Sequence, residues 1–546
     1  MKYALTIAIM LSLSFGLVTE SFRYQSTAQL WEDDYDLLFD PARIPEIEGA
    51  RLWTGLSNFV TGYEELFSNT SVPYFFIGGT KNYGNFYPGF VYDRSSMKDA
   101  LNTGLIGPGG TPLYGDGEVT TIDWQLDTLG QPISRTVDTQ TASAYDATAS
   151  SDFYVGLGVK RDNLRLGLGF MKKDSKNTIT NPMNNFTYEF SSEDLEADTL
   201  TYLETENSAG DEIFSDNENR IIFSAWSDRD NMSLGLTGEF AMLDLNEEAI
   251  ITGAEAEYDF PEHRDTSFME IATIDSAMKP QSGTRIAVEV KCFYDYNEDA
   301  QGRFYLGYST ESYDYGDNAM DWSYMTSEES YNYFQWDTNT TITYYEGSTS
   351  NSGFRVGTKQ LFNVSDRLNF GIGFFFGSTS YSNSITSRDT TVDITVYDDG
   401  DTVSNDPDDF TATMWSSQTW QTDVDGSIKN FTIPIGAEFH IADPLVFRLG
   451  ARHNISYNEY TTIDTLVDYE PERTLIEYGD GTTYEDIDQA YDDDYSKEVE
   501  KVTLSSTDYY YGLGWKVTDN LQLDLMGFSD LTDMTNWRLS ATFYFD

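Results

Sequence analysis

The chain is poor in the residues that most often carry chemistry. Among 546 residues there is one cysteine, Cys292, so no internal disulfide can form, and its place far inside the chain excludes a lipoprotein anchor. Cys292 therefore reads as a half-buried strand residue. Histidine is almost as scarce: His263 reads as a loop residue, His440 as a turn residue and His453 as a lipid-facing strand residue. No Ser/His/Asp arrangement, Gly-rich phosphate loop, CxxC or HExxH is visible, so no enzyme and no cofactor is expected. Lys and Arg number 33 against 91 Asp and Glu, a formal net charge of −58, which leaves no basic surface for nucleic acid. Long apolar runs are missing as well. The longest, residues 3–18, is too short for a membrane-spanning helix.

What is present is a regular alternation of connection lengths. Six times, two strand-like segments meet at a very short turn, at 161–163, 228–231, 297–302, 363–366, 440–444 and 517–520. Long inserts separate these pairs, at 95–151, 174–218, 244–282, 312–351, 382–427 and 457–501. The inserts hold 61 Asp and Glu against 9 Lys and Arg and thus carry −52 of the formal charge. Short turns at one side and long loops at the other are how an outer-membrane β-barrel is threaded. A soluble sandwich or propeller has no reason to sort its connections this way. The aromatic content, 38 Tyr, 34 Phe and 10 Trp, suits girdles at two membrane interfaces. Low mean hydropathy is no objection, because a barrel strand shows lipid an apolar residue only at alternate positions.

Alternation inside the segments agrees. Phe153, Val155, Leu157 and Val159 share one face, and Tyr154, Gly156, Gly158 and Lys160 the other. Leu164/Leu166/Leu168/Phe170, Leu368/Phe370/Ile372/Phe374 and Leu445/Phe447/Leu449 repeat the pattern. Such segments occur near 50–61, 72–80, 85–92, 152–161, 164–173, 219–228, 232–242, 283–294, 303–311, 352–362, 367–380, 428–440, 445–456, 503–516, 521–529 and 535–545. The expected fold is all-β: an antiparallel transmembrane β-barrel over residues 50–546 with about sixteen strands, or fourteen if one early pair lies outside the wall. Short periplasmic turns and long acidic extracellular loops go with it.

Residues 1–21 read as a secretory signal, Lys2 followed by the apolar run, with cleavage after Ser21 preferred over Gly16. Residues 22–49 have mixed polarity, a Pro-Ala turn and no alternation, and either fold inward as a plug or stay in the periplasm. The acidic run 32–36, the step Asp40-Pro41-Ala42, Gly49 and the strand Arg51-Leu52-Trp53-Thr54-Gly55-Leu56-Ser57 together resemble the start of FadL-type outer-membrane transporters and the related PorV-like barrels. In that family an Asn-Pro-Ala step precedes the first strand; here Asp40 stands in place of the Asn. The resemblance implies an N-terminal segment that plugs the lumen, and either uptake of fatty acids and other hydrophobic compounds or a part in protein secretion.

An Arg or Lys facing lipid at mid-membrane costs ~2–4 kcal/mol, so ionisable strand residues must face the interior. By alternation the candidate lumen and selectivity residues are Lys160, Arg165, Arg285, Arg303, Arg367, Arg448, Arg452 and Arg538. Lys291, Arg355, Lys359 and Lys516 join them, with Glu239, Glu289, Glu438 and Asp524. They either line a wet passage or pair into a network that stiffens a filled lumen. Many other inward positions are Gly, which leaves room for water or for a plug. Acidic runs at 397–401, 406–409 and 492–494 attract cations diffusely, and no specific metal site is assigned to them. The nearest EF-hand-like stretch, from Asp295, has Ala300 for the required Gly and Leu306 for the bidentate Glu.

Two functions fit this reading. The first is a channel or transporter in the bacterial outer membrane, passing small solutes that include hydrophobic, amphipathic and fatty-acid-like ones. The second is a surface-structural or adhesive barrel with a closed lumen, working through its acidic loops. The oligomeric state is left open by the sequence.

Overall fold

The computed structural model describes residues 20–56, 74–107, 110–195, 199–260, 267–316, 319–330, 333–399, 408–488, 495–528 and 538–545. Of the signal-peptide reading of residues 1–21, residues 1–19 lie outside them, while Glu20 and Ser21 are described at the start of the N-terminal segment. In chain order the strands are β1 (Ala50–Leu56), β2 (Tyr74–Thr80), β3 (Phe86–Ala100), β4 (Asn102–Gly107), β5 (Thr111–Leu126), β6 (Pro132–Arg161), β7 (Leu164–Thr180), β8 (Phe186–Asp194), β9 (Thr199–Arg229), β10 (Met232–Asp259) and β11 (Ser267–Asn297). They continue with β12 (Ala300–Tyr315), β13 (Met320–Ser330), β14 (Phe334–Ser365), β15 (Leu368–Asp398), β16 (Phe410–Ala442), β17 (Leu445–Tyr478), β18 (Thr483–Asp488), β19 (Tyr495–Thr518), β20 (Leu521–Phe528) and β21 (Arg538–Phe545).

Sixteen of these strands form one antiparallel ring. Around it run β1, β2, β3, β6, β7, β9, β10, β11, β12, β14, β15, β16, β17, β19, β20 and β21. The last pairs back on the first, from Ala50 against Phe545 to Leu56 against Leu539. Among the described residues, closure gives every ring strand two neighbours at the short-turn end, which is what a strand needs in a layer without water. Each of the sixteen predicted segments coincides with a ring strand. The short turns gather at one rim, and β4, β5, β8, β13 and β18 extend the sheet at the other end.

The inserts depart from expectation. They are not long loops: paired strands run on through most of them, so that β10 has 28 residues, β16 has 33 and β17 has 34. Their composition explains both the structure and its concealment. Runs such as Thr390-Thr391-Val392-Asp393-Ile394-Thr395-Val396-Tyr397 are rich in β-branched and aromatic residues, which fit a pleated surface. With water on both faces they need no apolar alternation, and that alternation is the signal by which strands are read.

An outward apolar belt runs around the short-turn end of the ring. Leu164, Leu166, Leu168 and Phe170 on β7, Leu234, Leu236, Phe240 and Met242 on β10, and Phe370, Ile372 and Phe374 on β15 are exposed on the outer face. All sit near the short-turn rim, within the ~9–11 residues that cross a hydrocarbon layer. Phe354, Phe376, Phe431 and Tyr457 form an aromatic row across β14 to β17 at the upper edge of this belt, with ring centroids 5.8, 4.9 and 6.1 Å apart. Cys292 is half-buried in the same outward face, between Leu234 and Phe304. Above the belt the longest strands continue on the order of 40–50 Å, given the usual rise and tilt.

Residues 20–49 fold inside the ring. A short helix α1 (Phe22–Ser26) starts at Ser21, whose hydroxyl accepts from the Tyr24 amide, and α2 (Asp34–Leu37) carries a capping box between Asp33 and Asp36. A 3₁₀ turn, Ile44–Glu46, leads to β1. Leu30, Leu38, Ala42 and Ile44 are wholly buried. Glycines on the inner wall make the seat: a Cβ at Gly167 would lie 2.2 Å from the Ala42 amide nitrogen, and one at Gly450 2.5 Å from that of Ala28. On the β1 to β9 side the segment packs through Tyr35, Leu38 and Ile44 against Trp53, Phe76, Val91, Tyr154, Met171 and Ile222, the largest apolar cluster among the described residues.

Candidate functional site: the lumen and its N-terminal segment

Ionic contacts with the wall complete the seating of this segment. Glu32 Oε2 accepts from Arg43 Nη1 and from Arg303 Nη1, both at 2.8 Å. Asp40 Oδ2 accepts from Trp226 Nε1 at 2.9 Å and Lys291 Nζ at 3.2 Å. Glu438 binds Arg23 at 2.7 and 2.8 Å and Arg448 at 3.3 Å, and Arg448 Nη1 donates to Asp524 at 2.6 Å. Arg165 bridges Glu46 of the segment to Asp228 of β9. Lys359 Nζ donates to the Tyr24 hydroxyl at 2.8 Å. Glu32, Asp40, Glu438, Arg165 and Arg448 thus each have an opposite charge as partner, the condition under which ions persist away from water, whereas Lys359 is met by a phenol.

The segment's own carboxyls are pulled apart by these surroundings. Burial alone would raise Glu32, but Arg43, Arg303 and Lys359 hold it well below the usual carboxylate range. Burial pushes Asp33 up to about 6, helped by the neighbouring Asp524. Asp36 is pushed well up by burial and by Asp33, although it accepts from the Ser21 amide and hydroxyl and from the Asp33 amide.

A second charge layer lies further from the short-turn rim. There Glu218 binds Arg220 and Arg285, Arg220 reaches Glu239 at 3.1 Å, and Arg285 reaches Glu311 at 3.6 Å. Higher still, Lys279 joins Glu247 and Asp321, and Tyr345 donates to Asp321 at 2.6 Å.

Two cavities flank the segment. One, of about 550 Å³, lies between Phe39 of the segment and strands β10 to β16, where Thr237, Glu239, Glu289, Lys291, Arg355, Phe375 and Asn430 line it. The other, of about 440 Å³, lies nearer the short-turn rim and is lined by Arg23, Glu32, Asp33, Arg43, Arg303, His440, Arg448 and Tyr544.

Of the residues picked by alternation, Arg165, Arg303 and Arg448 are brought together around the N-terminal segment, and Arg285 lies in the layer above. Arg452 is half-buried, 3.5 Å from Asp508 and over the Tyr510 ring. Lys160 and Arg367 lie apart from this cluster. Both are exposed at the short-turn rim, Lys160 one residue before the end of β6 and Arg367 in the turn between β14 and β15. Alternation gives the side of the wall and says nothing of depth, and these two sit at its end. The side chain of Arg538 lies outside the described residues. Sequence reasoning missed the partners Arg23, Glu32, Asp40, Arg43 and Glu46; the available signal was the density of both charge signs in an otherwise patternless segment.

The acidic runs are only partly described. Carboxylates of Asp398, Asp399 and Asp409 come within 4.8 Å of one another at the outer end, while 400–407 and 492–494 lie outside the described residues. Ala300 takes part in the tight turn from β11 to β12, paired with Asn297.

The fold and lumen define a sixteen-stranded transmembrane β-barrel with its N-terminal segment seated inside. The sequence matches no protein-family model and no curated protein. Among solved structures it is similar to the Ralstonia pickettii toluene transporter TbuX, with 10% identity over 96% of this chain and 98% of that one and a TM-score of 0.32. It is similar also to the Neisseria meningitidis FrpB iron transporter (F5-1 variant), at 10% identity over 94% and 84% and a TM-score of 0.30. The Yersinia pestis ferric yersiniabactin uptake receptor FyuA follows at 8% over 91% and 80%, with a TM-score of 0.28.

Proposed function

We propose that the protein is an outer-membrane transporter in which small solutes pass along the β10 to β16 side of the lumen and leave past the N-terminal segment. The observation that carries this reading is the asymmetry of the seat. Toward β1 to β9 the segment is held by a large apolar cluster with the Arg165–Glu46 and Arg51–Asp34 pairs beside it, whereas toward β10 to β16 the apolar contacts are smaller, Leu30 and Trp31 on Leu361 and Ala42 near Phe293, ion pairs to Lys291 and Arg303 stand among them, and the larger cavity is left beside Phe39. A well-packed apolar core parts only at the full loss of its burial, while ion pairs bordering water can exchange partners for solvent. The segment is thereby hinged on one side and releasable on the other.

The lining bears on the solute. Thr237, Glu239, Glu289, Arg355 and Asn430 offer hydrogen bonds and charges to the cavity. That favours small polar solutes over long apolar chains, whose entry would strand these groups without partners. On this reading the short turns face the periplasm and the acidic strand extensions face outward. Their charge concentrates cations over roughly one Debye length, ~8–10 Å at moderate salt.

Conductance in planar bilayers tests the proposal. The parent should conduct weakly, and the double variant Glu32→Gln with Asp40→Asn, which removes the charges opposite Arg303 and Lys291, should open more often. If neither protein conducts or admits solutes into liposomes, the surface-structural reading replaces this one. Its support is the length of acidic wall standing clear of the apolar belt.

A further inference from the structure

We propose that the inner wall at Gly307 is a binding site for small zwitterions, with an ammonium held by Glu289 and a carboxylate by Arg355. The site follows from one row of the sheet. Across neighbouring strands Thr237 pairs with Glu289, Glu289 with Gly307, Gly307 with Arg355, Arg355 with Gly377 and Gly377 with Asn430. All six line the same cavity. Strands lie ~4.8 Å apart, so the backbones of Glu289 and Arg355 are ~10 Å apart with only a glycine between them. A Cβ on Gly307 would meet nothing nearer than 3.7 Å, so the slot between the two charges is open.

The flanking groups are prepared for such a guest. Arg355 is exposed to the lumen, and its guanidinium lies 4.4 Å from the centroid of the Phe375 ring. Among the described residues it forms no salt bridge: Glu20, close enough to feel its charge, is bonded instead to Gln29. Stacking fixes the guanidinium plane and leaves its donors free for a bidentate carboxylate. Glu289 gives one oxygen to Lys291 at 3.3 Å, and its other oxygen faces no partner among the described residues. Thr237 Oγ1 is buried without a hydrogen bond at the edge of the same row. A cation alone would meet Lys291 and Arg355 as like charges, and an anion alone would meet Glu289 and Glu239. A molecule carrying both charges satisfies the two ends at once.

This names the solute class of the passage proposed above and rests on that reading for its role in transport, although binding can be measured without flux. The test is calorimetric titration of the full-length, detergent-solubilised protein with the dipeptide Ala-Ala, N-acetylalanine, alanine amide and maltose. Ala-Ala should bind, and Arg355→Gln and Glu289→Gln should each weaken it about tenfold or more, the usual worth of a hydrogen bond to a charged group. Gly307→Val, which fills the slot, should abolish binding. N-acetylalanine should respond to Arg355→Gln alone and alanine amide to Glu289→Gln alone. The variants sit on three different strands, and an unchanged gel shift on boiling shows that each is folded. Maltose binding as well as Ala-Ala, no binding of Ala-Ala, or Ala-Ala affinity indifferent to Arg355→Gln and Glu289→Gln would overturn the site. Binding without conductance would retain the site and remove the transport reading; conductance without binding would do the reverse.

Discussion

The indole N–H of Trp226 donates to Asp40 Oδ2 at 2.9 Å, joining β9 to a residue 186 positions earlier in the chain. The same oxygen receives Lys291 from β11, so one carboxylate ties the N-terminal segment to two wall strands. Asp40→Ala should leave Lys291 short of its main counter-ion and the indole without an acceptor. Losing one partner of a buried pair costs ~3–5 kcal/mol, here discounted because Glu289 also reaches Lys291. Trypsin should then cut at Arg23 or Arg43 faster than in the parent, with the barrel's boiling-dependent gel shift retained.

Gly167 tests the seat by bulk. A side chain there meets backbone atoms of Pro41 and Ala42, which cannot swing aside as a flexible side chain would. Gly167→Val should expel residues 41–42 from the wall and raise bilayer conductance while the sheet persists by circular dichroism. A variant as closed as the parent would mean that the segment can reseat elsewhere.

Arg448 and Arg367 should behave oppositely. Arg448→Ala leaves Asp524 buried without its cation and deprives Glu438 of one of two, so the urea midpoint should fall and the segment should exchange amide hydrogens faster. Arg367→Ser and Lys160→Ser, at the exposed rim, should change stability by no more than about 0.5 kcal/mol and leave ion selectivity unaltered.

Seating of the N-terminal segment should weaken as pH rises. Asp33, at about 6, and Asp36, raised by burial and by Asp33, lie above the ordinary Asp value of 3.8. A carboxyl with a raised folded value favours docking fully below pH ~4 and loses that contribution as pH passes through the folded value. Glu32, held low, works the other way, but its loss falls below the window used here. Protection factors of residues 20–49, corrected for the intrinsic pH dependence of amide exchange, should therefore be higher at pH 4.5 than at 7.5, and Asp33→Asn should flatten the difference. Lower protection at the lower pH would refute the assignment.

The belt predicts where charge is tolerated. Leu168 points outward at mid-belt and is 58% exposed to what would be lipid, so Leu168→Arg should cost ~2–4 kcal/mol in refolding from urea into bilayers. Ile250, equally exposed at 59% but far up β10, should accept Arg at little cost, within about 0.5 kcal/mol. Equal penalties would place the membrane elsewhere.

Much of the wall was legible because a barrel strand advertises itself. Phe153, Val155 and Leu157 alternate with Tyr154, Gly156 and Gly158 because lipid and lumen make opposite demands at a period of two, and each tight turn sits where the pattern breaks. The extensions of β14 to β17 were illegible as strands for the converse reason. Where both faces are wet, no residue type is forbidden on either, and only pairing with a neighbour reveals the sheet.

By itself the sequence determined the class of fold, a count of about sixteen strands, and the acidity of one end. All of these follow from local period and composition. Only the tertiary structure decided that residues 20–49 fill the short-turn half of the lumen, that Arg165, Arg303 and Arg448 are bound there while Lys160 and Arg367 lie apart from them, and that Arg355 and Glu289 face each other across Gly307. Those relations depend on the register between strands and on the depth at which a segment without periodicity comes to rest, and both are set by closure of the ring.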